Sequence, residues 1–217
     1  MDVRLDLLEQ MRKTRVVPVT EIAVAHDAVP LARALLDGGL ACIEVTFRTP
    51  AAADAIAAIA AEVPGMVVGA GTVRTLEQAE RAVEAGARFL VAPGFNPAVV
   101  ARAAELGVPM LPGACTPGEI ERALAAGIAL LKFFPAEAAG GVPYLRSLAG
   151  PYPEVNFVPT GGIGPANLAA YLELPTVAAC GGSWMVKASL ISSGDLATVT
   201  RLTAAALSVA RAKDQVA

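Results

Sequence analysis

Short apolar runs alternate along the chain with longer Ala-rich segments in which apolar positions recur every three or four residues. The runs have the length of buried β-strands, and the longer segments have the spacing of amphipathic helices. The pattern repeats at roughly twenty to twenty-eight residues, as in chains of β/α units. Eight strands are predicted: Val16–Val19, Cys42–Phe47, Val67–Gly71, Phe89–Pro93, Pro109–Gly113, Leu130–Phe134, Phe157–Thr160 and Val177–Gly181.

Local signals mark the ends of several helices. A plausible N-cap precedes a proline at Thr49-Pro50, Asn96-Pro97, Thr116-Pro117 and Gly164-Pro165. Thr116 with Glu119, and Thr75 with Gln78, have the spacing of a capping box. Glycines stand at the predicted helix ends: Gly38, Gly86, Gly107, Gly127 and Gly150. A short helix from Asp2 to Thr14 is predicted ahead of the first strand.

Eight alternating β/α units predict a closed (β/α)₈ TIM barrel, with a short N-terminal helix, in one domain spanning residues 1–217. An open doubly wound sheet is the structural alternative. Its dinucleotide-binding form is disfavoured because no GxGxxG motif follows a strand. In a barrel, functional residues are expected at the carboxyl ends of the strands.

The composition agrees with parallel strands buried on both faces, since 55% of residues are hydrophobic and only 17% are charged. The longest uncharged stretch, 155–172, contains too many Pro and Gly residues for a spanning helix. A net charge of −3 without a basic cluster argues against a nucleic-acid partner. The charged start does not resemble a secretory signal, and three scattered cysteines predict reduced thiols, so a cytoplasmic location is expected.

One apolar run, Leu130-Leu131-Lys132-Phe133-Phe134-Pro135, carries a lysine in its middle, and none of the other three lysines lies in such a run. An unpaired ammonium in an apolar site costs several kcal/mol, so a buried lysine tends to lose its proton. The neutral amine is a nucleophile that can form a Schiff base with a ketone. Strand alternation places Phe134 over Lys132. The alternative is a strand-end lysine whose charge reaches water.

Alternation in the second predicted strand places Cys42, Glu44, Thr46 and Arg48 on one face. In a barrel, Glu44 is then expected inside, below Arg48 at the mouth, with Thr72 at the end of the neighbouring strand. The alternative is an internal salt bridge of Glu44 with Arg48 that shapes the rim.

The seventh and eighth predicted strands end in loops almost without side chains, Thr160-Gly161-Gly162-Ile163-Gly164 and Cys180-Gly181-Gly182-Ser183. Such loops expose backbone N–H groups, and barrels commonly bind phosphate at these two strands. Two glycine pairs with nearby hydroxyls favour phosphate over the alternative of two tight turns. We interpret Trp184 as a packing residue, and Lys187 as a surface residue or a distant aid to phosphate binding.

Few residues are suited to a metal site. His26 is the only histidine, which excludes zinc bound by several histidines, and it is expected in an exposed loop or helix start. No aspartate lies between Asp54 and Asp195, and the carboxylates at strand ends are Glu44 and Glu137. The sequence therefore predicts chemistry without a metal or another cofactor.

Six segments together form a family pattern, in order and at family spacing. They are Val16-Val17-Pro18-Val19, Glu44-Val45-Thr46-Phe47-Arg48-Thr49, Gly69-Ala70-Gly71-Thr72, Lys132-Phe133-Phe134-Pro135-Ala136-Glu137, Pro159-Thr160-Gly161-Gly162-Ile163 and Gly181-Gly182-Ser183-Trp184. The chain thereby resembles the 2-keto-3-deoxy-6-phosphogluconate (KDPG) aldolases, some of which also cleave 4-hydroxy-2-oxoglutarate (KHG). One departure is Gly164, where the family often has serine.

The resemblance implies a trimeric class I aldolase of the Entner–Doudoroff pathway, which releases pyruvate and glyceraldehyde 3-phosphate without a metal. It implies that Lys132 forms the Schiff base and that Glu44 is the acid/base. The resemblance assigns the pyruvate pocket to Arg48, Thr72, Pro93 and Phe134. It assigns the distal hydroxyls and phosphate to Thr160, Gly161, Gly162 and Ser183.

Two other functions are compatible with parts of this pattern. A phosphosugar isomerase or epimerase barrel would share the glycine loops, but it would use Asp, His or Cys pairs that the chain lacks. A non-catalytic phosphate-binding barrel would use Lys132 only as a salt-bridge partner of Glu44.

Overall fold

A computed structural model of the chain describes residues 6–214. Its strands are β1 (Val16–Thr20), β2 (Cys42–Thr46), β3 (Val67–Gly71), β4 (Phe89–Val91), β5 (Met110–Leu111), β6 (Leu130–Phe133), β7 (Asn156–Pro159) and β8 (Cys180–Gly182). Its helices are α1 (Leu7–Thr14), α2 (Ala28–Asp37), α3 (Ala52–Glu62), α4 (Leu76–Glu84), α5 (Pro97–Glu105), α6 (Pro117–Ala125), α7 (Gly141–Ala149), α8 (Leu168–Leu172), α9 (Ala188–Ser192) and α10 (Leu196–Asp214). A 3₁₀ turn, Ala25–Asp27, precedes α2.

The strands pair in parallel, which confirms the predicted α/β class. One sheet has the order β5-β4-β3-β2-β1-β8, and β6 pairs with β7 in a second sheet. Isolated parallel bridges connect the two sheets, at Gly113 with Lys132 on one side and at Phe157 with Val177 and Thr160 with Gly181 on the other. The result is a curled parallel sheet whose successive strands are linked by helices.

Side-chain alternation divides the core into two parts. Ile43 and Val45 of β2 belong to the larger cluster, in which the sheet packs against the helices. Cys42 and Phe89 belong to a smaller cluster on the other face. Met11 of α1 joins this second cluster, so α1 covers the concave face at the amino ends of the strands. Within the described residues, no helix is long and apolar enough to cross a membrane.

The N-terminal helix is confirmed from Leu7 to Thr14, with Asp6 as its N-cap. The Asp6 carboxylate accepts a hydrogen bond from the Glu9 N–H at 3.0 Å. The start of the prediction, Asp2 to Leu5, lies outside the described residues.

Most of the predicted helix starts are confirmed by their caps. Thr75 and Asn96 accept hydrogen bonds from backbone N–H groups of α4 and α5. Thr116 and Glu119 form the predicted capping box of α6. The Gln78 side chain instead accepts from the Arg74 N–H at 2.8 Å, so the second capping box is incomplete.

Two predicted helix starts are wrong, one because of a tertiary hydrogen bond of Thr49 and the other because of a local turn between Gly164 and Asn167. Thr49 donates its hydroxyl to the Ile22 carbonyl at 2.6 Å, and α3 begins later, at Ala52. The Gly164 N–H donates to the Asn167 side chain at 2.8 Å, and α8 begins only at Leu168.

Several strands differ in their ends from the prediction, and β5 and β8 differ most. Beyond Leu111, the chain bonds to Lys132 through the Pro112 carbonyl and the Ala114 N–H, and regular pairing with β4 stops. Val177 forms a turn with Leu174 before pairing with β1 begins at Cys180. These local exchanges shift element ends without changing the order of the strands.

Candidate active site

Lys132 and Glu44 meet on the concave face of the sheet. The Lys132 Nζ lies 3.1 Å from Glu44 Oε1, and the two side chains are only 7% and 4% exposed. They come from β6 and β2, which are not adjacent strands. The contact therefore requires curvature that brings the two strands face to face. Phe134 lies over the pair as predicted, with its ring centre 5.6 Å from Nζ, a distance that permits a cation–π interaction.

A glycine on the neighbouring strand makes room for the Glu44 carboxylate. Gly71 pairs in register with Thr46, two residues beyond Glu44. A Cβ at position 71 would lie 2.2 Å from Glu44 Oε1, which is closer than any real contact. The glycine at the end of β3 is therefore required by the ion pair, and a larger residue there would displace the carboxylate from Lys132.

A cavity of about 420 Å³ opens at the carboxyl ends of five strands, above this pair. Eight of the sequence-predicted site residues line it: Arg48, Phe134, Thr160, Gly161, Gly162, Gly181, Gly182 and Ser183. Lys132 and Glu44 lie one pleat below, since the residues two positions further along their strands, Phe134 and Thr46, face the cavity. The buried lysine thus lies beneath the residues that line the cavity.

Arg48 and Thr72 form one side of the rim. The Arg48 Nε–H donates to the Thr72 hydroxyl at 3.1 Å. Thr72 has a φ of 58°, a left-handed conformation that is strained for a β-branched residue. The predicted alternative of an ion pair between Glu44 and Arg48 is not what forms, because Glu44 binds Lys132 instead.

Pro93 is a predicted site residue that does not line this cavity. It lines a separate depression of about 250 Å³ together with Val73, Arg74 and Phe95. Its carbonyl packs against Gly113, where a Cβ would come within 2.1 Å. Pro93 therefore borders the strand that bridges to Lys132 but does not line the cavity. Thr72 does not line the cavity either, although it accepts a hydrogen bond from Arg48, which does.

The loop after β7 is held from both sides. Gly161 and Gly162 have φ values of 101° and 82°, which glycine adopts without strain. The Glu137 N–H donates to the Gly161 carbonyl at 3.1 Å, and the Asn167 side chain donates to the Gly162 carbonyl at 3.0 Å. A Cβ at Gly162 would lie 2.6 Å from Glu137 Cγ. The loop is thus fixed with its glycines at the cavity rim.

A family model described as KDPG and KHG aldolase matches residues 7–202. The chain belongs to the KDPG and KHG aldolase family. It is 53% identical over 205 residues to the 2-dehydro-3-deoxy-phosphogluconate aldolase of Treponema pallidum (strain Nichols), covering 94% of this chain and 98% of that protein. It is 46% identical over 187 residues to the KHG/KDPG aldolase of Escherichia coli (strain K12), covering 86% and 88% of the two chains.

Solved structures of the family have the same fold. The KDPG aldolase of Legionella pneumophila, with pyruvate captured as a covalent carbinolamine intermediate, has a TM-score of 0.90 and 39% identity, covering 93% of this chain and 98% of that one. The KDPG aldolase of Zymomonas mobilis with 3-phosphoglycerate has a TM-score of 0.88 and 42% identity, covering 94% and 96%.

One contact of this KDPG/KHG aldolase chain was not anticipated from the sequence. The Tyr171 hydroxyl donates to the Glu137 carboxylate, and burial together with that carboxylate raises the pKa of Tyr171. Glu137 was noted only as a carboxylate near a strand end. Its contacts with Tyr171 and Gly162 give it a structural role beside the Gly161–Gly162 loop. No sequence signal connects Glu137 with Tyr171, because one lies in a loop and the other in α8.

The cysteines are poor nucleophiles in this aldolase-family site. Burial, and secondarily the Glu44 carboxylate, raises the pKa of Cys42 to about 12. Burial also raises the pKa of Cys180, and the Cys115 thiol donates to the Phe134 carbonyl at 3.0 Å. Because the thiolate is the reactive form, Lys132 is a better candidate nucleophile than any of the three thiols.

His26 is exposed, as predicted, and it pairs with Asp27 at 2.9 Å in the 3₁₀ turn. Across residues 6–214, no group of three or more His, Cys, Asp and Glu side chains is placed to hold a metal ion. Trp184 packs against the core, as interpreted from the sequence.

Proposed function

We propose that this chain is a class I aldolase that cleaves 2-dehydro-3-deoxy-6-phosphogluconate to pyruvate and glyceraldehyde 3-phosphate through a Schiff base on Lys132. The observation that carries the proposal is the buried Lys132–Glu44 pair at 3.1 Å beneath the cavity. The Treponema relative named for this substrate, and the Legionella structure with covalently bound pyruvate, support it.

Catalysis begins when the Lys132 amine attacks the C2 carbonyl of the substrate. Glu44, within hydrogen-bond distance, is positioned to accept a proton from the Lys132 ammonium and to return it to the departing C2 hydroxyl. Loss of water leaves a protonated imine. Its positive charge withdraws electrons from the adjacent C3–C4 bond.

Bond cleavage follows when Glu44, directly or through a water molecule, takes the proton of the C4 hydroxyl. The C3–C4 electrons move into the imine to give an enamine, and glyceraldehyde 3-phosphate leaves. A proton returned to C3 restores the imine, and water then releases pyruvate from Lys132. Lysine supplies the electron sink, so the proposed reaction uses no metal and no organic cofactor.

We assign the substrate's carboxylate to Arg48, oriented by Thr72, with Phe134 and Pro93 completing the pyruvate end. The distal hydroxyls and phosphate are assigned to Thr160, the two glycine pairs and Ser183. The cavity lining supports these roles for all of these residues except Thr72 and Pro93, which remain predictions.

We also propose the finer architecture expected from the sequence. The isolated bridges that join β6 to the β5 end and β7 to β8 support a closed (β/α)₈ barrel in a single domain. The expected assembly is a homotrimer in the cytoplasm, without nucleic-acid or membrane partners. KHG is a second candidate substrate, which the name of the Escherichia coli relative favours.

Incubation with pyruvate and borohydride is expected to attach a reduced pyruvate adduct to Lys132. The amine and ketone first form an imine, which the hydride converts to a stable secondary amine. Intact-mass measurement detects the irreversible mass increase, and peptide mapping locates it. Omission of either pyruvate or borohydride is the control. A chain that gains no pyruvate-dependent mass is not a Schiff-base aldolase. The phosphosugar isomerase and the non-catalytic phosphate-binding barrel would then be the favoured alternatives.

The phosphorylated six-carbon substrate is expected to exceed its unphosphorylated counterpart in kcat/KM by roughly two to four powers of ten. Phosphate binding at the glycine loops is remote from the breaking bond, and that energy helps to align C3–C4 with the imine. Ser183→Ala is expected to reduce this ratio while pyruvate trapping persists. Comparable kcat/KM values for both substrates and for KHG would show that the glycine pairs only form tight turns and do not bind phosphate.

A further inference from the structure

The charged residues that line the described cavity are few. They are Glu21, Arg48 and Lys187. Glu21 follows β1 and Lys187 follows β8, and these two strands are neighbours in the sheet, with Pro18 opposite Gly182. Arg48 follows β2 and is oriented by Thr72. The side of the cavity formed by the glycine loops therefore has one cation of its own, Lys187.

Lys187 is exposed and has no partner within residues 6–214, since neither an ion pair nor a hydrogen bond engages its side chain. It follows Ser183 in the same loop, and Ser183, Val186 and Ala188 line the cavity beside it. A flexible lysine with a free ammonium at a cavity rim can reach an anion bound between the loops.

The charges of the substrate favour such a group. A phosphoryl ester carries roughly 1.5 to 2 negative charges at neutral pH, and the substrate carboxylate adds another. The glycine loops offer N–H dipoles but no net charge, and Glu21 on the adjacent strand opposes the phosphate. Without Lys187, the lining charges of Arg48 and Glu21 cancel, and Lys132 with Glu44 below is also neutral as a pair.

We propose that Lys187 is the cationic residue that selects the phosphorylated 2-oxo acid over unphosphorylated ones by binding its phosphoryl group. The inference rests on the proposed aldolase function and deepens it. Its ammonium adds a charge-assisted contact to the neutral contacts of the glycine loops and Ser183. Because the group is exposed, the contact also weakens as ionic strength rises.

Lys187→Met tests this assignment with phosphorylated and unphosphorylated 2-dehydro-3-deoxygluconate as substrates. The ratio of their kcat/KM values is expected to fall about tenfold, mainly through a higher KM for the phosphorylated compound. Lys187→Arg should restore most of the ratio, and added salt should affect Lys187→Met less than the wild type. The matched control is Lys13→Met, because Lys13 is an exposed lysine at the opposite end of the strands.

An unchanged ratio in Lys187→Met, or equal losses with both substrates, would overturn the assignment. Pyruvate trapping at Lys132 on the same proteins separates this failure from failure of the aldolase proposal. If the wild type neither traps pyruvate nor cleaves substrate, glycerol 3-phosphate titration still decides the role of Lys187. A dissociation constant for glycerol 3-phosphate that is tenfold higher in Lys187→Met than in the wild type would support phosphoryl binding by Lys187. Equal dissociation constants would exclude it.

Discussion

Lys132→Met is expected to abolish cleavage, with kcat falling by about four powers of ten or more, because Lys132 is the only buried lysine among the side chains that the structure describes. The substitution keeps much of the side-chain volume beneath Phe134 while removing the nucleophile. Pyruvate release measured with both candidate substrates checks the loss, and borohydride trapping should disappear with it. Lys13→Met, which also removes one lysine, serves as the control.

The same substitution is expected to lower the free energy of unfolding by about 3–5 kcal/mol, because it leaves Glu44 as a buried carboxylate without its cation. Adding Glu44→Gln removes that charge, so the double variant should recover stability in denaturant unfolding while remaining inactive. This pattern separates chemistry from folding. Substantial activity in a well-folded Lys132→Met protein would show that the lysine is only a salt-bridge partner.

Glu44→Gln is expected to reduce kcat by about a hundredfold or more while leaving pyruvate trapping detectable. Glutamine has the shape of glutamate and fits beside Gly71, but it cannot carry the proton between the C4 hydroxyl and C3. Steady-state kinetics with the phosphorylated substrate measure the loss, and trapping on the same protein shows that Lys132 still reacts.

Glu137→Gln provides a comparison for Glu44, since Glu137 is a carboxylate in the loop after β6, the strand that carries Lys132. Glutamine at 137 can still accept the Tyr171 hydrogen bond and hold the Gly161–Gly162 loop. Its effect on kcat should therefore be much smaller than that of Glu44→Gln. If kcat were unchanged in Glu44→Gln but collapsed in Glu137→Gln, the proton transfer would belong to Glu137.

Local patterns carried much of the prediction. Apolar runs and helical spacing identified the eight strands in order, because burial on both faces of a parallel sheet leaves a direct mark on composition. Asn96 and Thr116 marked helix starts correctly because capping is satisfied within a few residues. The prediction at Thr49 was wrong because its hydroxyl has a distant partner, the Ile22 carbonyl, whereas the prediction at Gly164 was wrong because a local turn with Asn167 precedes α8.

In the candidate site, too, relations within one strand were predicted from the sequence, and contacts between distant strands were not. Period-two alternation was sufficient to place Glu44 inward on its strand and Phe134 over Lys132, since both relations lie within one strand. The ion-pair partner of Glu44 could not be predicted from alternation within one strand. Either Arg48 on the same strand or Lys132 on a distant one satisfied its charge, and only the curvature of the sheet chose Lys132.

The sequence by itself thus determined the family, the order of the strands, the inward-facing residues and the lone lysine in an apolar strand. The tertiary structure decided the 3.1 Å contact across the sheet, the displacement of Pro93 from the cavity, the link from Tyr171 to Glu137 and the position of Lys187 beside the glycine loops. Periodicity and capping act over a few residues, whereas these contacts join segments far apart in the chain. They depend on how the whole sheet curls, which no local pattern encodes.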